Sequence, residues 1–160
     1  VPTLFVCENN MFSSHMHISE RQPASSISRF AIANKIPFST IDGNDINEVF
    51  KTAKYATEFI REGNGPYLIE AATYRWRAHV GNMKDLEIGL HRRENYDNWL
   101  KRDPILRLFR GLKSESSLSD QEFEAIDLGL EQKIDQDWEK SIQADYPPID
   151  QLSKTLFYSA

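Results

Sequence analysis

The chain has 160 residues, 40% hydrophobic and 27% charged, a balance that supports one globular core and excludes an intrinsically disordered chain. A net charge of -5 and an isoelectric point near 5.4 exclude a dominant nucleic-acid surface. No apolar run approaches the roughly 20 residues that span a bilayer, and the first residues lack the basic-then-apolar layout of a signal peptide, so a soluble, cytoplasmic protein without nucleic-acid or membrane partners is expected.

Residues 3–7 form a short continuous apolar run, the signature of a buried strand, and the run stops on Glu8, Asn9 and Asn10. Asparagine is depleted in strands and common in turns, because its short amide bonds to nearby backbone and tolerates unusual dihedrals. A second reading stands beside the turn. Polar side chains and turn carbonyls at the carboxyl end of a parallel strand are where open α/β sheets bind ligands, and an amide oxygen next to a backbone carbonyl suits magnesium or calcium. Cys7 is the only cysteine; it cannot form an internal disulfide and reads as a buried structural thiol rather than a nucleophile.

A polar loop over residues 13–23 leads to a short helix over 25–34, and residues 38–41 read as a second strand. Ile46, Val49, Phe50, Ala53, Ala56 and Ile60 then recur at helical spacing, with Asn44 or Asp45 as cap and Gly63 as terminator. Residues 67–74 give a third strand. Strand, helix, strand predicts a parallel crossover, hence an α/β fold with a parallel sheet flanked by helices. Residues 76–92 are rich in charge and glycine without periodicity and predict a long exposed loop, the kind that commonly carries function.

Beyond that loop, Asp103 caps and Pro104 opens a helix bearing Ile105, Leu108, Phe109 and Leu112. Ser119-Asp120-Gln121-Glu122 has the spacing of a capping box ahead of Phe123, Ile126, Leu130, Ile134, Trp138 and Ile142. Tyr146-Pro147-Pro148 ends that helix, and the tail to Ala160 adds a short one at most. No Gly-rich phosphate loop accompanies the first strand, and three strands alone leave a long unpaired edge. Residues 1–112 therefore read as the later part of a larger α/β domain and residues 113–160 as its C-terminal helical extension.

Four segments carry a family resemblance: CENN after an apolar strand, IDGNDI opening a helix, GNGPYLIEAATYRWRAHVG, and DPI at the start of another helix. In that order they resemble the alpha subunits of thiamine-diphosphate-dependent 2-oxo acid dehydrogenases, the decarboxylating component of pyruvate and branched-chain complexes, and their acetoin-dehydrogenase relatives. The resemblance is close over residues 3–112 and loose over 119–143. It implies the later part of a thiamine-diphosphate-binding fold, with thiamine diphosphate and magnesium as cofactors. The implied activity is decarboxylation of a 2-oxo acid, or cleavage of acetoin, with transfer of the acyl group to a lipoyl carrier protein. The implied partner is a beta subunit, in an assembly of two alpha and two beta chains, which brings the glutamate that activates the cofactor; the segment alone is then inactive. A different reading is a fragment that keeps the fold and only mediates subunit association.

In this family the cofactor motif begins Gly-Asp-Gly and closes on Asn-Asn. By resemblance Asn10 matches the amide that ligates magnesium and the backbone carbonyl of Phe12 the second ligand, while the motif's aspartate, the third, is absent from these residues. His79 matches a histidine beside the cofactor diphosphate and the reacting centre, where it holds charge or moves a proton; its residue context alone reads as an exposed loop histidine. Arg75 matches an arginine at the base of the same loop, which binds phosphate or carboxylate or orders the loop. Arg77 replaces a common histidine, and Val80 stands where mitochondrial relatives carry a phosphorylatable serine, so control by phosphorylation there is not expected. His91, Arg92 and Arg93, in the charged loop 81–93, fall near a Tyr-Arg pair of the relatives and read either as a patch for an anionic carrier or cofactor or as a solvated face. Trp99 reads as a packing anchor.

Overall fold

The computed structural model describes residues 1–81, 83–84 and 90–151, excluding the side chains of 90–94 and 150. In chain order the elements are β1 (Leu4–Asn9), a small hairpin of β2 (Phe12–Ser13) and β3 (Met16–His17), α1 (Ile18–Arg21), α2 (Arg29–Ala33), β4 (Phe38–Asp42), α3 (Ile46–Arg61), β5 (Tyr67–Ala72), α4 (Leu90–Leu100), α5 (Pro104–Ser114), α6 (Asp120–Gln143) and a 3-10 turn at Ile149–Gln151. Contacts divide the chain into two units, Val1–Gly111 and the residues from Leu112 onward.

The first unit is an α/β layer. Its sheet runs β1-β5-β4 with every neighbouring pair parallel. Side chains alternate across a strand, so Tyr67, Ile69 and Ala71 of β5 share one face, where they form the core with Ile41 and Ala56; Leu4, Val49, Ala53, Phe59 and Ile60 pack around it. Helix α3 covers that face because its apolar residues recur on one side, and Ala56, 0% exposed, lets the helix come close. Asp45 starts α3 by accepting from the N–H groups of Asn47 (3.0 Å) and Glu48 (3.3 Å), and Gly63, at φ 86, turns the chain just past its end. The cap left open between Asn44 and Asp45 is therefore Asp45.

On the opposite face Cys7 lies in register with Glu70 and Asn9 with Ala72, and Ser25–Ser28 reach this face through hydrogen bonds to Glu70 and Asn9. Cys7 is half-buried rather than buried, since β1 pairs on one side only. Burial pushes its thiol above the ordinary value, and the nearby Glu70 and Glu8 carboxylates add to the shift, so the thiolate that would attack is disfavoured.

Several sequence expectations change. The third strand ends at Ala72, because β1 and β4 also end opposite that residue, and the last bond beyond it runs from the Thr73 N–H to the Asn9 carbonyl at 3.1 Å. The helix expected over 25–34 contracts to Arg29–Ala33; the N–H groups of Ile27 and Ser28 are spent on Glu70 instead. The polar loop 13–23 contains the hairpin and α1, anchored by fully buried Ile18. The long loop expected over 76–92, and the charged loop over 81–93, are shorter at the far end, as α4 begins at Leu90. Tyr96 and Trp99 stand three apart on α4 and both meet Tyr74, a tertiary contact that local charge density does not announce. Residues 82 and 85–89 and the tail 152–160 lie outside the described residues.

In the second unit α6 carries the expected capping box, Ser119 and Glu122 each satisfying the other's backbone N–H. Its apolar residues Ile126, Leu130, Ile134, Trp138 and Ile142 are all exposed. No described helix is long and apolar enough to cross a membrane.

Candidate functional site

The two asparagines that end β1 do different work. Asn9 is buried; its Nδ2 donates to Glu70 Oε1 (2.7 Å) and to the Ser25 carbonyl (3.3 Å), while its Oδ1 accepts from the Met11 N–H (3.0 Å). A carboxylate on one side and an N–H on the other fix the orientation of the amide. Asn10 Oδ1 accepts from the Phe12 N–H at 3.0 Å. Between them Met11 sits at φ 65, a left-handed conformation that costs an ordinary residue about 1–2 kcal/mol. Two bonds hold it there: the N–H on Asn9, and its carbonyl, which accepts from Ile18 N–H at 2.8 Å.

The turn reading of the asparagines is thus correct, and it does not displace the ligand reading. An amide oxygen has two lone pairs, and the turn brings Asn10 Oδ1 and the Phe12 carbonyl into one short segment just past the tip of β1. Both are neutral hard oxygens, the donor type that magnesium prefers. Among the described residues no cluster of three or more His, Cys, Asp or Glu side chains could hold a metal ion.

Glu70 is the residue that the sequence reading missed. It is 3% exposed, yet its carboxylate is fully served: Oε1 accepts from Asn9 Nδ2 (2.7 Å) and Ile27 N–H (2.9 Å), Oε2 from Ser26 hydroxyl (2.9 Å) and Ser28 N–H (2.8 Å). Burial alone pushes its carboxyl up, but the four donors outweigh that and hold it below the ordinary glutamate value. The available signal was an acid inside the otherwise apolar run YLIEAA.

Beyond β5 the chain carries Arg75 and His79. The Arg75 guanidinium donates from Nη2 to the Ser14 carbonyl (3.0 Å) and from Nε to the Arg77 carbonyl (3.0 Å), and its Nη1 lies 3.4 Å from His79 Nδ1. A guanidinium only donates, so Nδ1 is the accepting nitrogen and a neutral His79 carries its proton on Nε2. Arg75 therefore straps the segment after β5 to the hairpin after β1. Asn10, Phe12, Arg75 and His79 are all brought to the carboxyl edge of the sheet, at adjacent strands in register Asn9↔Ala72. Arg77 and Val80 are exposed. The side chains of His91, Arg92 and Arg93 lie outside the described residues.

The IDGND segment braces this edge from the β4 side. Gly43 N–H donates to the Ala72 carbonyl at 2.8 Å, and a Cβ there would stand 2.9 Å from that oxygen and 3.1 Å from Ala71 Cβ, so no side chain fits. Asn44, 2% exposed, accepts from the Thr73 hydroxyl (2.7 Å) and donates to the Arg102 carbonyl (2.9 Å). Asp42 takes Arg102 at 2.8 Å and Arg107 at 2.7 Å, and Arg107 also reaches Asp45 at 2.7 Å. Partial burial raises the Asp42 carboxyl, but the Arg102 and Arg107 guanidinium groups and the Asn44 N–H bring it below the ordinary aspartate value. Arg102 in turn lies 4.3 Å over the Trp99 ring, which stacks on Tyr74 at 5.8 Å; Trp99 is the packing anchor expected of it.

A family profile described as "Dehydrogenase E1 component" matches residues 1–150. The chain belongs to that family. The E1 segment is 32% identical over 157 residues to the pyruvate dehydrogenase E1 component subunit alpha of Porphyra purpurea, covering 98% of this chain and 45% of that protein. It is 35% identical over 121 residues to the 2-oxoisovalerate dehydrogenase subunit alpha of Bacillus subtilis (strain 168), covering 76% and 36%. A somatic, mitochondrial pyruvate dehydrogenase E1 component subunit alpha of Homo sapiens is 29% identical over 160 residues, covering 99% and 40%. The chain spans less than half the length of these curated relatives. The resemblance read from the sequence, to alpha subunits of thiamine-diphosphate-dependent 2-oxo acid dehydrogenases, is borne out at the level of the family.

Proposed function

We propose that this E1 segment is the cofactor-facing edge of an alpha subunit that, with a beta subunit, decarboxylates a 2-oxo acid and passes the acyl group to a lipoyl carrier protein. The supporting observation is the sheet register: Asn9 opposite Ala72 sets the Asn10 turn next to the segment of Arg75 and His79, with Arg75 bonded across to Ser14. In this reading the sheet is the later part of a thiamine-diphosphate-binding fold, and the working assembly has two alpha and two beta chains. Pyruvate and a branched 2-oxo acid are the candidate substrates of that decarboxylation, and acetoin of the corresponding cleavage. The lone Cys7 fits a reducing compartment, and the cytoplasm is the proposed one.

Asn10 Oδ1 and the Phe12 carbonyl would hold magnesium, and Arg75 and His79 the diphosphate side. Two neutral oxygens would add no charge that opposes the phosphates of the bound cofactor. Thiamine diphosphate, when bound, supplies the carbon nucleophile and the sink for the electrons released with carbon dioxide. Arg75 fixes His79 by its Nδ1, which leaves Nε2–H of the neutral ring as a hydrogen-bond donor.

A second reading, a segment that mediates association without binding cofactor by itself, draws support from the exposed apolar stripe of α6. Calorimetry with magnesium and thiamine diphosphate separates the two. The full-length protein with its beta chain is expected to bind, Asn10→Ala to raise both dissociation constants, and His79→Ala to lower kcat more than affinity. No binding by the full-length assembly, or wild-type behaviour in both variants, defeats the first reading.

A further inference from the structure

We propose that Glu70 is the positioning residue of the Asn10–Phe12 turn, acting through Asn9; the inference rests on the reading of that turn as the magnesium site. The relay is continuous. Glu70 Oε1 accepts from Asn9 Nδ2 at 2.7 Å, Asn9 Oδ1 accepts from the Met11 N–H at 3.0 Å, and Met11 is the residue held at φ 65 between the two proposed ligands. If the Asn9 amide rotated, its NH2 would face the Met11 N–H, donor against donor, and the left-handed turn would lose the bond that offsets its strain. The Glu70 carboxylate, at 2.7 Å the shorter of the two acceptors on Asn9 Nδ2 and the charged one, opposes that rotation together with the Ser25 carbonyl at 3.3 Å.

Three observations make a purely local role for Glu70 insufficient. The carboxylate stands in the central strand and is buried, a costly placement unless it is fully compensated. Its remaining donors are Ile27 N–H, Ser28 N–H and the Ser26 hydroxyl, so it clamps the segment before α2 to the same strand tip, and Asn9 Nδ2 also reaches the Ser25 carbonyl. Finally, both Asn9 and Glu70 lie on the face of the sheet opposite the apolar core, where neither packs against α3. What the pair holds in shape is the strand tip and the two loops that flank it.

The test uses the full-length protein with its beta chain and two readouts. In Glu70→Gln, hydrogen exchange at the Met11 and Phe12 amides of the metal-free protein is expected to quicken at least tenfold while the α3 amides stay unchanged. The dissociation constant of Mn2+, titrated by electron paramagnetic resonance with saturating thiamine diphosphate, is expected to rise about tenfold. Asn9→Ala, which keeps three of the four donors on Glu70, should move both readouts the same way and decides the matter if Glu70→Gln does not fold. Ile69→Val, a destabilising change on the other face, should move neither. Unchanged exchange at Met11 and Phe12 in Asn9→Ala, or an equal loss of Mn2+ affinity in Ile69→Val, overturns the proposal. Absence of Mn2+ binding in the wild type would instead refute the magnesium reading, while the exchange measurement still judges Glu70.

Discussion

Replacing Asn44 by alanine tests the brace that fixes the carboxyl edge of the sheet. Asn44 is 2% exposed, and its side chain makes two neutral hydrogen bonds, from the Thr73 hydroxyl at 2.7 Å and to the Arg102 carbonyl at 2.9 Å. Each contributes about 0.5–1.5 kcal/mol net, and a half-buried hydroxyl left without its acceptor adds roughly 1 kcal/mol. The Arg102 carbonyl, on an exposed residue, recovers a water and adds little. The expected loss is therefore about 2–4 kcal/mol, read from the midpoint of urea unfolding at constant m-value. Thr73→Val removes the same bond from its other end, so a double-mutant cycle should return a coupling of about 1 kcal/mol between the two positions. A loss under about 0.5 kcal/mol for Asn44→Ala, within the range of ordinary surface changes, or strict additivity with Thr73→Val, would refute the claim that this amide joins β4, β5 and the start of α5.

Three further outcomes are expected. Gly43→Ala should destabilise by about 1–3 kcal/mol, the usual cost of overpacking, because the added Cβ meets the Ala72 carbonyl at 2.9 Å; unchanged stability would show that the strands separate freely. Ile69→Ala, 3% exposed in the core beneath α3, should cost about 2–5 kcal/mol, and a smaller loss would mean that α3 collapses onto the sheet. Glu70 and Asp42 both have carboxyl groups below their ordinary values of 4.5 and 3.8, so the stability they confer is complete above those values and is lost as pH falls through the lowered folded ones. Unfolding midpoints between pH 6 and 3 should therefore fall less steeply in Glu70→Gln than in the wild type; parallel curves would remove Glu70 from the acid limb.

Where local chemistry decides, the sequence was sufficient. Asp45 and Asp103 start their helices because a carboxylate one residue ahead of the first turn accepts orphan N–H groups wherever it occurs, and Ser119 with Glu122 closes its capping box within a single turn. The three parallel strands followed from short apolar runs spaced by a helix, and the family from the four segments in order. Asn10 could be picked out as a polar residue where a strand ends, and Arg75 and His79 through the family resemblance, although the residues alone left each of them with a bland alternative.

What the sequence could not supply were partners far away along the chain. Glu70 is one acid in an apolar strand until Asn9, Ser26, Ile27 and Ser28, some 42 to 61 positions away, fold onto it. Asp42 and Asn44 looked like helix-opening residues until Arg102 and Arg107 arrived across the fold, and α4 was hidden under its own charge until Tyr96 and Trp99 found Tyr74. By itself the sequence determined elements whose hydrogen bonds close within one turn or one strand, since spacing encodes those bonds directly. Only the tertiary structure decided which buried polar groups satisfy each other, because that depends on strand order and register, and no local pattern records either.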